Sequence, residues 1–332
     1  MSEPTTRRRF LAGLPLAGVA SSLAAGEETK GGSLTFGFIT DVHHGTHGNP
    51  QVDRIRRFVD AAIGRKPDFI IQCGDFCCAK GGIDTAKGLL AEWNRFPGGK
   101  HHVIGNHDCD FQTKEELVAA WKTPGPYYSF DAGGFHFVIL DRNHFIDSEG
   151  KAVSYDKGNW YDIHRRGGPG HLARVSCIDE AQLEWLAKDL AATDKPVVIF
   201  QHQPSGTGSH EGNWADPNHV IDRHNARRQN VQVVAVFAGH DHDEVHAIRH
   251  GVHHITMTSS TFGLPFDSSA VYYAVEKPPF TFVTLNASRG EMRIEESRST
   301  YVEEEKMKPE PRWINPPAII GRVLKIGGQV PV

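Results

Sequence analysis

Short apolar runs of strand length recur along this chain, and five of them end in side chains that can bind metals. The first run, "LTFGFIT", is followed by Asp41 and His43, and the run "VVAVFA" is followed by His240 and His242. Between such runs, stretches such as residues 52–63 place apolar side chains at helical spacing. Strands that alternate with helices and give way to hairpins predict an α/β domain whose sheets are largely buried.

The other strand ends carry donors of the same kind. Ligands of an open α/β sheet bind outside the carboxyl ends of its strands, so we expect these side chains to converge at one edge. Oxygen atoms combined with neutral imidazoles suit Mn, Fe or Zn, whereas Ca takes oxygen ligands and a structural zinc favours thiolates. The candidate donors from the five strand ends are Asp41, His43, Asp75, Asn106, His202, His240 and His242.

Composition narrows the choice of partners. The formal net charge is −4 over 332 residues, and no long basic stretch follows residue 10. A nucleic-acid polymer or an anionic membrane surface therefore has no electrostatic support as a partner. The count of 20 histidines favours metal binding, although a histidine pair one residue apart is also common in solvated loops. The composition carries no information on oligomeric state.

Residues 1–24 have the pattern of an export signal. Three arginines at residues 7–9 precede an apolar run over residues 10–24 that ends in small side chains. The segment resembles a twin-arginine signal, which carries folded proteins out of the bacterial cytoplasm. The run contains Pro15 and Gly18, and it is short for a membrane span. We expect a periplasmic or extracellular protein without a stable membrane partner, an uncleaved anchor being the alternative.

The strand ends read, in order, D-x-H, G-D, G-N-H-D, H and G-H-x-H, and they span residues 41–242. This order resembles the calcineurin-like metallophosphoesterase family. A single block is weak evidence, whereas five blocks in order, each at a predicted strand end, are specific. The resemblance implies a four-layer α-β-β-α sandwich over residues 33–302, with a dinuclear metal site at the C-terminal ends of the strands.

The resemblance also implies a division of the donors between two divalent ions. One ion would be held by Asp41, His43, Asp75 and His242. The other would be held by Asp75, Asn106, His202 and His240, so that Asp75 bridges the pair. Such a pair of ions can share a hydroxide that attacks phosphorus and can clamp the phosphoryl group. His107 would then stabilise or protonate the leaving oxygen, and Asp108 would orient the imidazole of His107.

Two departures narrow the choice of branch within the family. Cys78 stands three positions after Asp75, where many relatives carry an acidic residue and purple acid phosphatases carry a tyrosine. Together with His43, Cys78 argues against the purple branch and puts a supporting carboxylate at that position in doubt. Only about 90 residues follow His242, too few for the second domain of secreted 5′-nucleotidases.

The substrate is expected to be a small phosphoester chosen by the loops rather than by the ligands. Arg142 and Asn143 follow the fourth strand, and His210 lies in a long loop, so we predict that they contact the phosphate or its substituents. The insert at residues 142–175 and the loop at 203–217 open on the same edge, which favours a phosphodiester with two organic groups. A phosphomonoesterase, a nucleotide pyrophosphatase and a non-catalytic metal-binding relative are the alternatives.

Two further expectations concern the cysteines and the C-terminus. The loops that carry Asp75 and Asn106 should meet at the metals, so export would permit a disulfide between Cys109 and either Cys77 or Cys78. Residues 303–332 are proline-rich, and we expect them to run over the surface as an extended arm.

Overall fold

The strands and helices of this protein follow the predicted alternation. The computed structural model describes residues 32–45, 52–77, 80, 82–166, 170–207, 211–228, 232–263, 271–302 and 318–327. The predicted export signal and His210 lie outside these residues. No helix in the described ranges is both long and apolar enough to span a membrane.

Two six-stranded sheets form the centre of the described structure. The strands of the first sheet are β1 (Ser33–Ile39), β2 (Phe69–Cys73), β3 (Gly99–Val103), β14 (Thr281–Asn286), β15 (Glu291–Ile294) and β18 (Arg322–Lys325). The strands of the second are β4 (Tyr128–Ala132), β5 (Phe135–Ile139), β8 (Val197–Phe200), β9 (Val233–Ala238), β10 (Val245–Arg249) and β11 (Val252–Thr256). Shorter pairs are formed by β6 (His144–Ile146) with β7 (Ala152–Ser154), β12 (Phe262–Gly263) with β13 (Val271–Tyr272), and β16 (Ser297–Arg298) with β17 (Ala318–Ile319).

The order of strands makes the parallel ones neighbours within each sheet. The first sheet runs β18-β15-β14-β1-β2-β3, and β1, β2 and β3 are parallel. The second runs β10-β11-β9-β8-β5-β4, and β5, β8, β9 and β11 are parallel. Parallel neighbours end at the same edge, so the loops after these strands lie side by side. The amide of Asp41 donates to the carbonyl of Gly74 at 3.0 Å, and the amide of Gly239 donates to that of His202 at 2.9 Å.

The helices cover the outer faces of the two sheets. They are α1 (Val52–Arg65), α2 (Lys87–Trp93), α3 (Lys114–Trp121), α4 (Tyr161–Arg166), α5 (Glu180–Ala191) and α6 (Ala215–Arg228). Helices α1 and α2 pack Phe58 and Trp93 against the first sheet, whereas α5 and α6 pack Leu186 and Ile221 against the second. The predicted α-β-β-α sandwich is therefore confirmed.

The core between the sheets is rich in phenylalanine. The ring of Phe36 on β1 lies 5.4 Å from that of Phe200 and 5.8 Å from that of Phe237, both in edge-to-face geometry. Aromatic pairs of this geometry add about 0.5–1.5 kcal/mol each to the gain from burial. These contacts tie the two sheets together just below the edge at which their strands end.

Side chains cap the starts of two helices. Thr113 caps α3 by accepting from the amide of Glu116 at 3.1 Å, and the Glu116 carboxylate accepts from the amide of Thr113 at 2.8 Å. Asp179 caps α5 by accepting from the amide of Gln182 at 2.8 Å. Capping contacts of this kind contribute about 1 kcal/mol each.

Two segments that lack sequence periodicity contain regular structure. The 142–175 insert holds the hairpin β6–β7 and helix α4, although its sequence shows no periodicity. Contrary to expectation, the C-terminal segment does not run entirely over the surface as an extended arm. Its residues Arg322–Lys325 form β18, which pairs with β15 at the edge of the first sheet. The strand is only four residues long, and an alternation of apolar and polar side chains over four residues is too short to predict a strand in a proline-rich segment.

Candidate metal centre

The predicted donors meet at the shared edge of the two sheets and form two groups. Asp41, His43 and His242 are all buried, and we refer to them as the inner triad. Asp75, His202 and His240 form the outer triad, in which His240 keeps 18% of its side chain exposed. Within each triad the possible ligand atoms all lie within 4.8 Å of one another.

The inner triad is compact and covered by an aromatic ring. Nε2 of His43 lies 3.1 Å from Nε2 of His242, and Oδ1 of Asp41 lies 3.4 Å from the latter nitrogen. The ring of Phe262 lies 4.9 Å from both imidazoles. The three donors thus face one small buried space, and Phe262 lies against two of them.

The outer triad includes a carboxylate that also reaches the inner one. Oδ2 of Asp75 lies 3.1 Å from Nε2 of His202 and 3.6 Å from Nε2 of His43. Asn106 joins this group, since its Oδ1 lies 3.0 Å from Nδ1 of His240. Asp75 therefore occupies the position between the two triads that the sequence predicted for a bridging ligand.

Neighbouring groups form hydrogen bonds with three of the ligands, Asp41, Asp75 and His202. Thr40 donates its hydroxyl to Oδ2 of Asp41 at 2.7 Å, and the amide of His107 donates to Oδ1 of Asp75 at 2.8 Å. Nδ1 of His202 donates to the carbonyl of Cys73 at 2.8 Å, which fixes the tautomer and leaves a lone pair on Nε2.

The buried imidazole of His202 provides a test of whether a cation fits. In the described structure its Nε2 has no hydrogen-bond partner, although Oδ2 of Asp75 lies only 3.1 Å away. The carboxylate oxygen and the imidazole nitrogen are close but lack hydrogen-bond geometry. Two ligands of one metal ion would be placed in the same way. An unpartnered buried nitrogen otherwise costs about 1–3 kcal/mol, so these residues fit a metal.

The backbone of the site is unusual. Five of the seven donors have a positive φ, a region that side chains other than glycine avoid at a cost of about 1–2 kcal/mol each. The values are 54° for Asp41, 50° for His43, 53° for Asp75, 71° for His240 and 66° for His242. Strands β1, β2 and β9 are therefore followed by sharp left-handed turns that direct these five donors into the site.

Two glycines make room for these turns. Gly74 has a φ of +96°, and a Cβ on it would lie 2.2 Å from Nδ1 of His202. A Cβ on Gly239 would lie 2.1 Å from Oγ1 of Thr40 and 2.4 Å from Oδ2 of Asp41. Both glycines are required by close approach, and Gly74 is required by its backbone angle as well.

The charges of the site favour ionised carboxylates beside imidazoles. Burial opposes ionisation of Asp41, but the charge of His202 and the hydrogen bonds from His242 and His43 hold its pKa well below the usual value. Burial opposes protonation of His202, yet the charges of Asp75 and Asp41 raise its pKa to about 10. A bound cation competes with that proton for the same lone pair, so metal binding releases protons.

His107 lies beside the triads with one edge of its ring held. Its ring centroid is 5.4 Å from that of His43, and 33% of its side chain is exposed. Nδ1 of His107 donates to Oδ2 of Asp110 at 2.8 Å, and the hydroxyl of Tyr161 lies 3.1 Å from the same nitrogen. Burial disfavours protonation of the ring, but the charge of Asp75 and the Asp110 hydrogen bond raise its pKa to about 9.

The predicted role of Asp108 is wrong. Oδ1 of Asp108 accepts from the amides of Phe76 and Cys77 at 2.9 and 2.8 Å, and Oδ2 accepts from the amide of Gly105 at 2.8 Å. Burial and the charge of Asp75 raise the pKa of Asp108 to about 7. Asp108 thus ties together the two loops that carry Asp75 and Asn106, and Asp110 is the carboxylate that faces His107.

Arg142 and Asn143 are not available to a substrate as predicted. The guanidinium of Arg142 is fully buried and donates to the carbonyls of Gln203, Pro204, Ser176 and Glu211 at 2.6–2.9 Å. The amide of Asn143 donates to the carbonyl of Ile104 at 2.7 Å and accepts from Gln203 at 2.8 Å. Both side chains organise the loops around the site. The predicted contact from His210 lies outside the described residues.

The expected disulfide of Cys109 is also wrong. Cys109 carries a buried free thiol. Burial raises the pKa of that thiol well above its usual value, which makes it unreactive.

Sequence reasoning missed a carboxylate at the outer triad. Oε2 of Glu211 lies 3.4 Å from Nε2 of His240 and accepts the hydroxyl of Ser176 at 2.8 Å. Burial disfavours its ionisation, but the hydrogen bond and charge of His240 lower its pKa to about 2. Nothing in the sequence around Glu211 signals this position, because the loop that carries it is placed by Arg142 from another strand end.

Known proteins with similar sequences and structures agree with this geometry. A family model described as calcineurin-like phosphoesterase matches residues 34–244. A manganese-dependent ADP-ribose/CDP-alcohol diphosphatase of Oryza sativa subsp. japonica is 27% identical over 228 residues, 58% of this chain and 68% of that protein. The protein of the same description from Arabidopsis thaliana is 25% identical over 225 residues, 58% of this chain and 70% of its own length.

The fold has a counterpart among solved structures. The crystal structure of a dimetal phosphatase from Danio rerio superposes with a TM-score of 0.61 at 20% identity, covering 79% of this chain and 95% of that one. At this identity the likeness concerns the fold.

Proposed function

The chain belongs to the calcineurin-like phosphoesterase family and is a metal-dependent hydrolase of phosphate esters, and we propose that it cleaves the diphosphate bridge of small nucleoside-linked molecules. The observation that carries the hydrolase chemistry is the position of Asp75, whose Oδ2 lies 3.6 Å or less from imidazoles of both triads. The substrate class is supported by the two plant relatives, whose descriptions name ADP-ribose and CDP-alcohols.

In this proposal each triad holds one divalent ion. The inner ion takes the inner triad with Asp75, and the outer ion takes the outer triad with Asn106. We propose manganese at both positions, because the donors mix oxygen with imidazole and the plant relatives are described as manganese-dependent. When bound, two such ions supply Lewis acidity and an activated nucleophile at neutral pH.

The chain's own residues supply the proton and the orientation. With Nδ1 of His107 held by Asp110, Nε2 is the ring nitrogen left for the substrate. His107 therefore acts as the general acid and gives its Nε2 proton to the leaving oxygen. Glu211 keeps the imidazole of His240 oriented, with Nδ1 of His240 facing Asn106.

A substrate panel tests the proposed class. The chelated protein is reconstituted with Mn, Zn, Fe or Mg, and kcat/KM is measured for ADP-ribose, a CDP-alcohol, bis(p-nitrophenyl) phosphate and p-nitrophenyl phosphate. We expect Mn to restore the highest activity and the nucleoside diphosphates to exceed the simple monoester by at least about tenfold, or about 1.4 kcal/mol. A preference for the monoester would contradict the substrate class and favour a phosphomonoesterase.

We further propose that residues 1–24 direct export by the twin-arginine route. The support is the order of three arginines, an apolar run and small residues. A protein that loads two metals would also benefit from folding where the metal supply is controlled. The double variant Arg7→Lys with Arg8→Lys should retain precursor in the cytoplasm. Unimpaired export of that variant would point to the general secretory route.

A further inference from the structure

A carboxylate and a phenol from two separate segments converge on one nitrogen of the proposed general acid. Oδ2 of Asp110 accepts from Nδ1 of His107 at 2.8 Å and from the hydroxyl of Tyr161 at 2.8 Å. The same hydroxyl lies 3.1 Å from Nδ1 of His107. His107 and Asp110 flank one short 3-10 turn, whereas Tyr161 is the first residue of α4, more than 50 residues along the chain.

The segment that carries Tyr161 is fastened to the turn that carries Asp110. The amide of Gly158 donates to the carbonyl of Cys109 at 2.9 Å, and the amide of Lys157 donates to that of Gln112 at 3.3 Å. Gly158 has a φ of +76°, and a Cβ there would lie 3.2 Å from the carbonyl oxygen of Asp110. The approach of the two backbones is therefore close enough to place a phenol against the histidine.

Aromatic packing makes the position of Tyr161 rigid. Its ring stacks on Trp160 at 4.1 Å, and Trp160 is buried and stacks on Tyr155 at 5.2 Å. On its other side the guanidinium of Arg165 lies over the Tyr161 ring, 4.5 Å from its centroid. A phenol held between a buried indole and a cation loses little freedom when it forms a hydrogen bond.

The carboxylate of Asp110 forms few other hydrogen bonds. Oδ1 of Asp110 is buried without a hydrogen-bond partner in the described structure, so Oδ2 receives both protons. Among the described residues, no group is hydrogen-bonded to Nε2 of His107, the nitrogen on the opposite edge of the ring. The arrangement holds one edge of the imidazole and leaves the other open.

We infer that Asp110 and Tyr161 are positioning residues that set the tautomer and the orientation of His107 for proton transfer. This inference rests on the general-acid role proposed above. As the bond between phosphorus and the leaving oxygen breaks, the oxygen keeps the electron pair and takes the proton from Nε2. His107 changes from imidazolium to neutral imidazole, and its remaining proton stays on Nδ1 in the bond to Asp110. The 142–175 insert thus supplies a part of the catalytic apparatus, not only a wall for the substrate.

Leaving-group dependence separates a positioning role from a structural one. The variants Asp110→Asn, Tyr161→Phe and His107→Ala are compared for kcat and KM on methyl aryl phosphates whose phenols span pKa values from about 7 to about 10. Tyr155→Phe is the matched control. It removes a buried hydroxyl from the same aromatic stack, and that hydroxyl accepts from the amide of Ser176 and does not contact His107. Metal content is measured in each variant.

We expect Asp110→Asn to lower kcat for the poorest leaving group by about 10- to 100-fold, with a smaller loss for Tyr161→Phe. The losses should shrink toward the best leaving group, while KM and metal content stay near wild type. In protein labelled with ¹⁵N-histidine and loaded with Zn, the Nδ1–H resonance of His107 should shift in both variants and stay in place in Tyr155→Phe.

Two results would overturn the inference, and they differ in what else they remove. If His107→Ala shows the leaving-group dependence but Asp110→Asn and Tyr161→Phe behave like Tyr155→Phe, the positioning role fails and the general acid remains. If His107→Ala itself loses activity equally across the series, the general-acid role fails and the positioning role fails with it.

Discussion

The two triads have the same donors, one carboxylate and two imidazoles, in different surroundings. The inner triad is buried on all sides and covered by Phe262, 4.9 Å from two of its rings. The outer triad includes a partly exposed imidazole, that of His240, and has Asn106 and Glu211 beside it. Because each triad has one carboxylate and two imidazoles, we expect the difference in access to govern which ion exchanges first.

This comparison predicts unequal exchange of the two ions. An ion in the inner triad would be enclosed by buried side chains and the ring of Phe262, whereas one in the outer triad would lie beside the partly exposed His240. We therefore expect a chelator to remove two equivalents of Mn in two phases, the outer one first, with activity lost in the first phase. Three substitutions sharpen the difference, in order of decreasing effect.

The largest effect is expected at the residue that belongs to both sites. Asp75→Ala should remove a ligand from each ion and lower kcat/KM by about 10³-fold, since an ion's stabilisation of the transition state is worth several kcal/mol. Elemental analysis should show loss of both metals. Asp147→Ala, at a half-buried carboxylate of the insert that bonds two nearby backbone amides, is the control. An Asp75→Ala protein with full metal content and full activity would refute the shared site.

A smaller and one-sided effect is expected at Glu211. Glu211→Gln should weaken Mn binding at the outer triad by about 10- to 100-fold and leave the inner ion unchanged, because Glu211 contacts only His240 among the donors. Calorimetric titration of Mn into the metal-free variant measures the two affinities separately. Glu180→Gln, at the start of α5, is the control. Equal weakening of both ions would show that the triads are not independent.

The smallest effect is expected at the aromatic cover. Phe262→Leu should quicken release of the inner ion by up to about tenfold, because apolar substitutions of similar size cost less than about 1.5 kcal/mol. The first phase of release to the chelator should keep its rate. Phe280→Leu, a partly buried ring on the outside of the first sheet, serves as control. No change in the second phase would mean that access does not distinguish the triads.

The sequence was sufficient to predict that these seven side chains meet at one edge of the sheets, and the reason is geometric. Each donor follows an apolar run, and parallel strands that end at one edge bring such positions together whatever the loops do. The four-layer arrangement followed from the resemblance. Helix α6 and strand β18 were missed, because Ala215–Arg228 is largely polar and Arg322–Lys325 is short.

Side chains beside the donors were harder to assign, because their direction depends on local geometry. Asp108 follows His107 in sequence, but in a 3-10 turn the residues three apart lie on one side, so Asp110 faces the imidazole. Trp160 lies in the insert that was expected to open on the substrate, and it is buried instead. Arg142 has the charge of a phosphate contact, but its burial beneath four carbonyls is a tertiary property.

The left-handed backbone conformation at five of the donors restricts which amino acids can occupy those positions. Asp and His tolerate a positive φ better than most residues, whereas valine, isoleucine and threonine are excluded by their branched Cβ. A substitution at Asp41 or His242 must therefore first be compatible with the positive φ of the backbone, and only then does its ability to bind a metal matter. For the same reason, copying these side chains onto ordinary strand ends of another sheet would point the donors elsewhere.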